Sequence, residues 1–379
     1  MNRIALTLVL AFSASVAFAQ ETGIKQRVYI GTYTGAKSKG IYLSEFDAET
    51  GKLSEPKLAA ETVNPTFLAL HPDGKHLYAV NEVGEFLGKK AGGVTSYAID
   101  EKGGLTKLNE QHSGGPGPCH LVVDREGKCV LAANYGGGSC CAIMLNKDGS
   151  LGDVTSFFQH EAKAVPPGGK ARPPRGHSIN VSPDNKLVFC ADLGRDEVVI
   201  YNLDAAAGKL TKHEPAAGHC PEGSGPRHFA FHPSGMFAYA INESSKTITV
   251  FAFDAAKGSL TELQTISTVP EGVTGGSTAE VVVHPSGKFV YGSNRGHDSI
   301  AVFQVDQATG KLTAAGHQGE GIKTPRNFNL DLTGKWLLVG SQSGNNVAVF
   351  KVDQASGSLT PTGNKIELAA PVCLKFLKQ

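Results

Sequence analysis

The chain has 379 residues, with 36 basic and 35 acidic side chains and a formal net charge of +1. This even balance excludes the one-sided basic surface that neutralises many phosphates, so we expect no nucleic-acid partner. Seven cysteines, an odd number without a CxxC pair, predict neither a disulfide framework nor a zinc knuckle, and leave a single disulfide as an open alternative.

The N-terminal segment MNRIALTLVLAFSASVAFA (1–19) has a basic start, an apolar stretch and a small-residue end. This order is typical of a secretory signal peptide cleaved after Ala19, and the apolar stretch is short for a membrane span. A retained N-terminal anchor is the competing interpretation. We expect a periplasmic or secreted protein with one domain over residues 20–379 and no membrane span after cleavage.

Two sequence patterns alternate along the rest of the chain, each with period-2 apolar runs between Gly, Asp or Pro turns. The first, exemplified by RHFAFHPSGMFAYAINE, occurs at 66–82, 120–136, 177–194, 227–243, 279–296 and 326–342. The second, exemplified by TITVFAFDAAKGSLTE, occurs at 40–55, 93–108, 139–153, 197–212, 247–262, 299–314 and 346–361. Units of about 50 residues are typical of propeller blades.

The first pattern lacks a complete seventh copy, because that copy is split between the two ends of the chain. RVYIGTYTG (27–35) resembles its second half and PVCLKFLKQ (371–379) its first half. Pairing of the two halves would close a ring without a free edge. The sequence therefore predicts an all-β, seven-bladed β-propeller whose ring is closed by N- and C-terminal strands in one blade. Two stacked β-sandwiches do not account for the split copy.

The ends of the first-pattern hairpins carry polar residues that differ from blade to blade. Strands joined by a tight turn are antiparallel, so the start of the first strand and the end of the second lie at one edge. If the first strands line the axis, these ends surround one mouth of a central channel. The residues expected to bind substrate there are His120, Asn134, Tyr135, His228, Asn242, Glu280, Asn294, Arg326 and Gln342.

Some polar residues also have a structural interpretation. One set of asparagines recurs at a single blade position and either caps loops or binds ligand: Asn81, Asn134, Asn242 and Asn294. For Glu82 the alternative to substrate binding is a solvated charge at the rim. For Arg227 and Glu243 the alternative to a functional site is a structural ion pair. Three histidines precede proline in turns, where we expect structural roles: His71, His232 and His284.

The segment KAVPPGGKARPPRG (163–176) is rich in proline, glycine and basic residues. Its composition predicts a long loop at the rim of the mouth. Lys170, Arg172 and Arg175 either contact an anionic substrate or have no role there.

Three segments carry a resemblance to a known family: GPRHFAFHPSGMFAYAINE, AEVVVHPSGKFVYGSNRGHDSIAVF and PRNFNLDLTGKWLLVGSQ. They resemble the seven-bladed propeller lactonases, which include the bacterial propeller-type 6-phosphogluconolactonases and are similar to the fungal carboxy-cis,cis-muconate cyclase. The resemblance implies catalytic roles for His177, Arg227, Glu243 and Arg295. Many relatives have a histidine where this chain has Arg175, a departure that bears on substrate range.

We therefore expect a lactonase that hydrolyses a sugar-type lactone, similar to a 6-phosphogluconolactonase, as a monomer without metal or cofactor. Either His177 or Glu243 would activate water, and Arg227 and Arg295 would bind the oxyanion or an anionic substrate group. A muconate-type lactonising cycloisomerase and a non-catalytic exported binding propeller are the alternative functions.

Overall fold

A computed structural model describes residues 25–163 and 172–379. The proposed signal peptide, the proposed cleavage site and Lys170 lie outside the described residues. Within the described part of the chain, no helix has the length and apolar character needed to cross a bilayer.

The described chain forms seven antiparallel sheets, in agreement with the repeat pattern. The innermost strands are β5 (Leu68–Leu70), β9 (Pro118–Val123), β13 (Gly176–Val181), β17 (Pro226–Phe231), β21 (Ser277–Val283), β25 (Pro325–Leu330) and β29 (Pro371–Lys378). The second strands are β1 (Lys25–Thr32), β6 (His76–Asn81), β10 (Cys129–Asn134), β14 (Leu187–Asp192), β18 (Phe237–Asn242), β22 (Phe289–Arg295) and β26 (Trp336–Ser341).

The third strands are β2 (Gly40–Asp47), β7 (Gly93–Ile99), β11 (Ser139–Leu145), β15 (Glu197–Asp204), β19 (Thr247–Asp254), β23 (Ser299–Val305) and β27 (Asn346–Val352). The outer strands are β3 (Lys52–Leu53), β4 (Lys57–Glu61), β8 (Leu105–His112), β12 (Leu151–Gln159), β16 (Lys209–His219), β20 (Ser259–Ser267), β24 (Leu312–Gln318) and β28 (Leu359–Glu367). We number the blades by their second strands, so that the first blade contains β1 and the seventh contains β26.

The two ends of the chain meet in the first blade, as the split repeat predicts. The C-terminal strand β29 pairs with β1 from Gln26↔Lys378 to Thr32↔Pro371 and supplies the innermost strand of that blade. Each innermost strand also contacts the innermost strands of both neighbouring blades. The seven sheets therefore form a closed ring around a central channel.

Apolar side chains fill the spaces between neighbouring blades, and tyrosines of the second strands span them. Each of four buried tyrosines donates a hydrogen bond of 2.9–3.1 Å to a glycine carbonyl in the next blade: Tyr29 to Gly103, Tyr78 to Gly149, Tyr239 to Gly310 and Tyr291 to Gly357. Two of the turn histidines act similarly, since Nε2 of His232 and of His284 lies 2.9 Å from a carbonyl oxygen of the next blade. Because these hydroxyl groups and Nε2 atoms are buried, their hydrogen-bond partners come from the neighbouring blade. Each bond therefore constrains the orientation of one blade relative to the next.

Candidate functional site

The predicted mouth residues lie at one end of the channel, and β-bulges direct several of them. In β17 the register slips between Pro226 and His228, so Arg227 is the extra residue that opposes no partner in β18. The same slip occurs around His177 in β13 and around Arg326 in β25. A bulge re-aims a side chain that regular alternation would place on a sheet face. The slip also skips Cys119 in β9 and Val372 in β29, so five blades use this backbone device at the mouth.

A carboxylate between two guanidinium groups dominates this end of the channel. Oε2 of Glu243 lies 2.9 Å from Nε of Arg227 and 2.9 Å from Nη2 of Arg295. The Nε–H of Arg227 is not aligned with that oxygen, so the contact is an ion pair without hydrogen-bond geometry. Arg227 donates instead to the carbonyl of Ala279 (2.6 Å), and Arg295 to that of Thr278 (2.7 Å). The backbone therefore holds both cations, and the Glu243 side chain stays 26% exposed.

Burial lowers the pKa of Arg227 to about 10, with further lowering by the positive charges of Arg326 and Arg295. Burial also lowers the pKa of Arg295. Both guanidinium groups nonetheless stay charged near neutral pH. The contact of Glu243 with Arg227 and Arg295 fits either a structural ion pair or a functional site. The partial exposure of the Glu243 carboxylate favours a site.

Three histidine rings pack together just below the ion pair. His228 lies at their centre, with its ring centroid 5.1 Å from that of His120 and 5.4 Å from that of His177. Phe67 packs against His120, with 4.1 Å between ring centroids and the rings tilted by 33°. Burial and the neighbouring positive charges hold the pKa of all three histidines well below the usual range. The rings are therefore neutral at pH 7.

A cavity of about 190 Å³ continues from the histidines into the channel. Glu280 accepts hydrogen bonds from Nδ1 of His228 (2.7 Å) and from Asn327 (2.5 Å) at its wall. Burial raises the pKa of Glu280. Lys375 of the C-terminal strand lines the same cavity and lies 4.6 Å from the centre of the Phe67 ring. The structure thus groups His120, His228 and Glu280 as predicted and adds Lys375.

A second ionic group at the mouth joins Arg326, which the sequence predicted, to Tyr33 and Glu82, which were not among the predicted substrate-binding residues. Arg326 donates to the hydroxyl of Tyr33 (3.0 Å) and lies 5.3 Å from the centre of its ring. Tyr33 donates to the carboxylate of Glu82 (3.0 Å), which also accepts from Thr66. Glu82 is therefore bound within the mouth rather than solvated at the rim. Tyr33 lies in the split copy of the repeat, where no complete repeat marks the strand end, and Glu82 had the alternative of a solvated rim charge.

The rim near the fourth blade contains an aromatic ring between a histidine and an arginine. Tyr135 contacts His177 with 5.2 Å between ring centroids, and the guanidinium of Arg175 lies 5.2 Å from the Tyr135 centre. Arg175 thus belongs to the rim, whereas Arg172 forms an ion pair with Asp196. Gln342 follows β26 and is half-buried, with its backbone N–H bonded to Thr324.

The recurring asparagines do not point into the mouth. Asn134, Asn242 and Asn294 are at most 1% exposed. Their amides bind groups of the surrounding loops: Asn134 binds Ser113 and Ser139, Asn242 binds Thr247 and Thr249, and Asn294 binds Thr268 and Ser299. These contacts favour loop capping over substrate binding, because the buried amide N–H groups are paired within the protein.

Comparisons with known proteins agree with the seven-bladed fold. A family model described as "Lactonase, 7-bladed beta-propeller" matches residues 27–376. The chain is 37% identical over 353 residues to a 6-phosphogluconolactonase of Bacillus subtilis, covering 93% of this chain and 98% of that protein.

Among solved structures, a Bacteroides fragilis protein superposes with a TM-score of 0.87 and 36% identity, covering 95% of this chain and 99% of that chain. The periplasmic gluconolactonase of Pseudomonas aeruginosa superposes with a TM-score of 0.86 and 32% identity, covering 93% and 99%. Both superpositions extend over nearly the whole of each chain.

Proposed function

Because this chain belongs to the seven-bladed β-propeller lactonase family, we propose that it hydrolyses a sugar-type lactone at the mouth of its channel. The single observation that carries the proposal is the partly exposed Glu243 carboxylate held between Arg227 and Arg295. This arrangement combines a proton acceptor with fixed positive charge, two of the elements that lactone hydrolysis needs. The third is a proton for the departing ring oxygen, and the proton that the carboxylate takes from water supplies it as the ring C–O bond breaks.

Glu243 acts as the general base that activates water. The alternative base, His177, is a weak proton acceptor because burial and nearby arginines hold its pKa well below the usual range. General-base catalysis is most effective when the pKa lies near the working pH. His177 instead presents a neutral ring to the substrate, packed against Tyr135 and His228.

Arg227 and Arg295 stabilise the negative charge that develops on the lactone carbonyl oxygen. Their positions are set by backbone carbonyls, so little reorganisation accompanies the reaction. Arg326 adds a third guanidinium group to the mouth and Arg175 a fourth at its rim, against the carboxylates of Glu82 and Glu243, so positive charge is in excess. That excess favours lactones with an anionic substituent, such as a phosphate.

The protein acts as a monomer in the periplasm or outside the cell. The sequence of residues 1–19 supports export, and so does the similarity to a periplasmic gluconolactonase. N-terminal sequencing of the mature protein should therefore begin at or near Gln20.

The experiment is a pH-indicator assay of acid release from glucono-1,5-lactone, its 6-phosphate and a muconolactone, corrected for spontaneous opening. We expect hydrolysis by the native protein and a decrease of about 10²–10⁴-fold in Glu243→Gln. Glu197→Gln is the matched control, since Glu197 is also paired with an arginine, 2.6 Å from Arg195, but begins β15, the third strand of its blade.

Full activity of Glu243→Gln would refute the assignment of the base. No acid release from any of the three lactones, with the native protein folded, would refute hydrolysis and favour lactone formation or simple binding.

A further inference from the structure

Three metal-ligating side chains from two blades meet away from the channel. Cys140 lies in β11, His160 directly follows β12, and Cys190 lies in β14 of the next blade. One ligand atom of each lies within 4.8 Å of the other two. Both cysteines are fully buried and His160 is 6% exposed.

The histidine is oriented as a metal ligand would be. Nδ1 of His160 donates to the carboxylate of Asp192 at 2.6 Å, and Asp192 is itself fully buried. Nε2 is buried and has no hydrogen-bond partner among residues 25–163 and 172–379. Histidines that bind metals usually donate a hydrogen bond from one ring nitrogen to a carboxylate, while the other ring nitrogen coordinates the metal. A buried nitrogen left unpaired costs about 1–3 kcal/mol.

We propose that Cys140, His160 and Cys190 bind a thiophilic d¹⁰ metal ion, Zn²⁺ or Cu⁺, between the third and fourth blades. Thiolate and imidazole ligands select these ions over Mg²⁺ or Ca²⁺. Binding forms two metal–sulfur bonds and one metal–nitrogen bond, and the two thiol protons pass to solvent. With Zn²⁺ the two thiolates give a neutral centre, which suits the apolar cluster around Cys140 and Cys190.

The dimensions fit such an ion. Metal–sulfur bonds of about 2.3 Å place two thiolates at most about 4.6 Å apart, and a metal–nitrogen bond is about 2.0 Å. Sulfur and nitrogen bound to one ion lie at most about 4.3 Å apart, and the three ligand atoms here lie within 4.8 Å of one another.

The metal would also support the rim of the mouth. The second carboxylate oxygen of Asp192 accepts from the backbone N–H of Arg175 (2.7 Å) and of Gly194 (3.0 Å). Arg175 in turn lies against Tyr135. A metal that fixes His160 therefore fixes Asp192 and, through it, the backbone position of Arg175.

The test is elemental analysis of the full-length chain, purified with reductant, incubated with Zn²⁺ or with Cu⁺ under anaerobic conditions, and desalted. We expect about one ion per chain for the native protein, as for other structural sites with preformed ligands. Comparison of the two ions identifies the metal. Cys140→Ser, which is nearly isosteric, should lose the bound ion.

Cys141→Ser is the matched control, because Cys141 is the next residue in β11 and equally buried, but packs in a different apolar cluster. It should keep the ion. Co²⁺ provides a second measurement on the native chain: thiolate-to-cobalt charge-transfer absorption should appear on addition and disappear with a chelator. Absence of both metal uptake and cobalt absorption in the native chain would overturn the proposal. So would a Cys140–Cys190 disulfide that resists the reductant, or retention of the ion by Cys140→Ser.

Discussion

The three neutral histidines of the channel predict that mild acidification destabilises the protein. The pKa of His120, His177 and His228 is held well below the usual range by burial. In the unfolded chain each ring binds a proton as the pH falls through about 6.5, whereas the folded chain does not. The unfolded state therefore binds more protons below that pH, and the free energy of unfolding must fall.

The size of the effect follows from the number of rings. Between pH 7.5 and 5.5, each histidine that stays neutral in the folded state lowers the free energy of unfolding by about 1.4 kcal/mol, and three lower it by about 4 kcal/mol. Glu280 acts in the opposite sense, because its raised pKa means that the folded state takes up its proton first. His160 also acts in the opposite sense, because, despite burial, its hydrogen bond to Asp192 raises its pKa to about 9. We expect a net loss of about 2–3 kcal/mol, a large part of a typical total of about 5–15 kcal/mol.

The assay is urea denaturation at equilibrium in steps from pH 7.5 to 5.5. His120→Phe preserves the ring packed against Phe67 and removes one titrating group, so the loss should shrink by about 1.4 kcal/mol. His219→Gln should leave the loss unchanged, because 69% of that side chain is exposed. Unfolding free energies that stay constant across this range in the native protein would show that the channel histidines take up protons while folded, and would refute the reasoning.

The remaining predictions concern the contacts between blades, the ring closure and the mouth. Tyr291→Phe leaves the buried carbonyl of Gly357 without its donor and should lower the free energy of unfolding by about 1–3 kcal/mol, measured by urea denaturation. Deletion of residues 371–379 removes the innermost strand of the first blade and should abolish cooperative unfolding in calorimetry; a sharp transition would contradict the role of ring closure. Arg326→Leu should raise KM more for 6-phosphogluconolactone than for gluconolactone, since it removes a positive charge beside Tyr33; equal changes would show that Arg326 does not bind the phosphate.

The fold was predictable because the repeats align with one another. Seven copies of one pattern within a single chain define the strand positions and the mouth, and the split copy defines the closure. The β-bulges at His177, Arg227 and Arg326 were not predictable in the same way. Each lies where a strand leaves its loop, so the extra residue does not interrupt the apolar alternation that follows it.

The asparagines show how repetition can mislead a search for a site. Asn134, Asn242 and Asn294 occupy one blade position because each blade needs the same loop cap. Residues with a unique task differ between blades, as Arg227 and His177 do. Variation among aligned strand ends was therefore the more reliable indicator of the mouth.

The proposed metal ligands gave no signal in the sequence, from which no metal was expected. Cys140, His160 and Cys190 belong to three different strands or strand ends in two blades, so no short spacing relates them. Only the packing of one blade against the next brings them together, and repeat alignment does not describe that packing.

The position of β29 has a consequence for biosynthesis. Strand β29 follows every other described strand in the sequence, yet it forms the innermost strand of the first blade and contributes Lys375 to the cavity wall. While residues 371–379 are still being synthesised or exported, β1 and the innermost strand β25 of the seventh blade both lack a neighbour that they have in the folded ring. The ring around the channel therefore closes only after residues 371–379 have been synthesised.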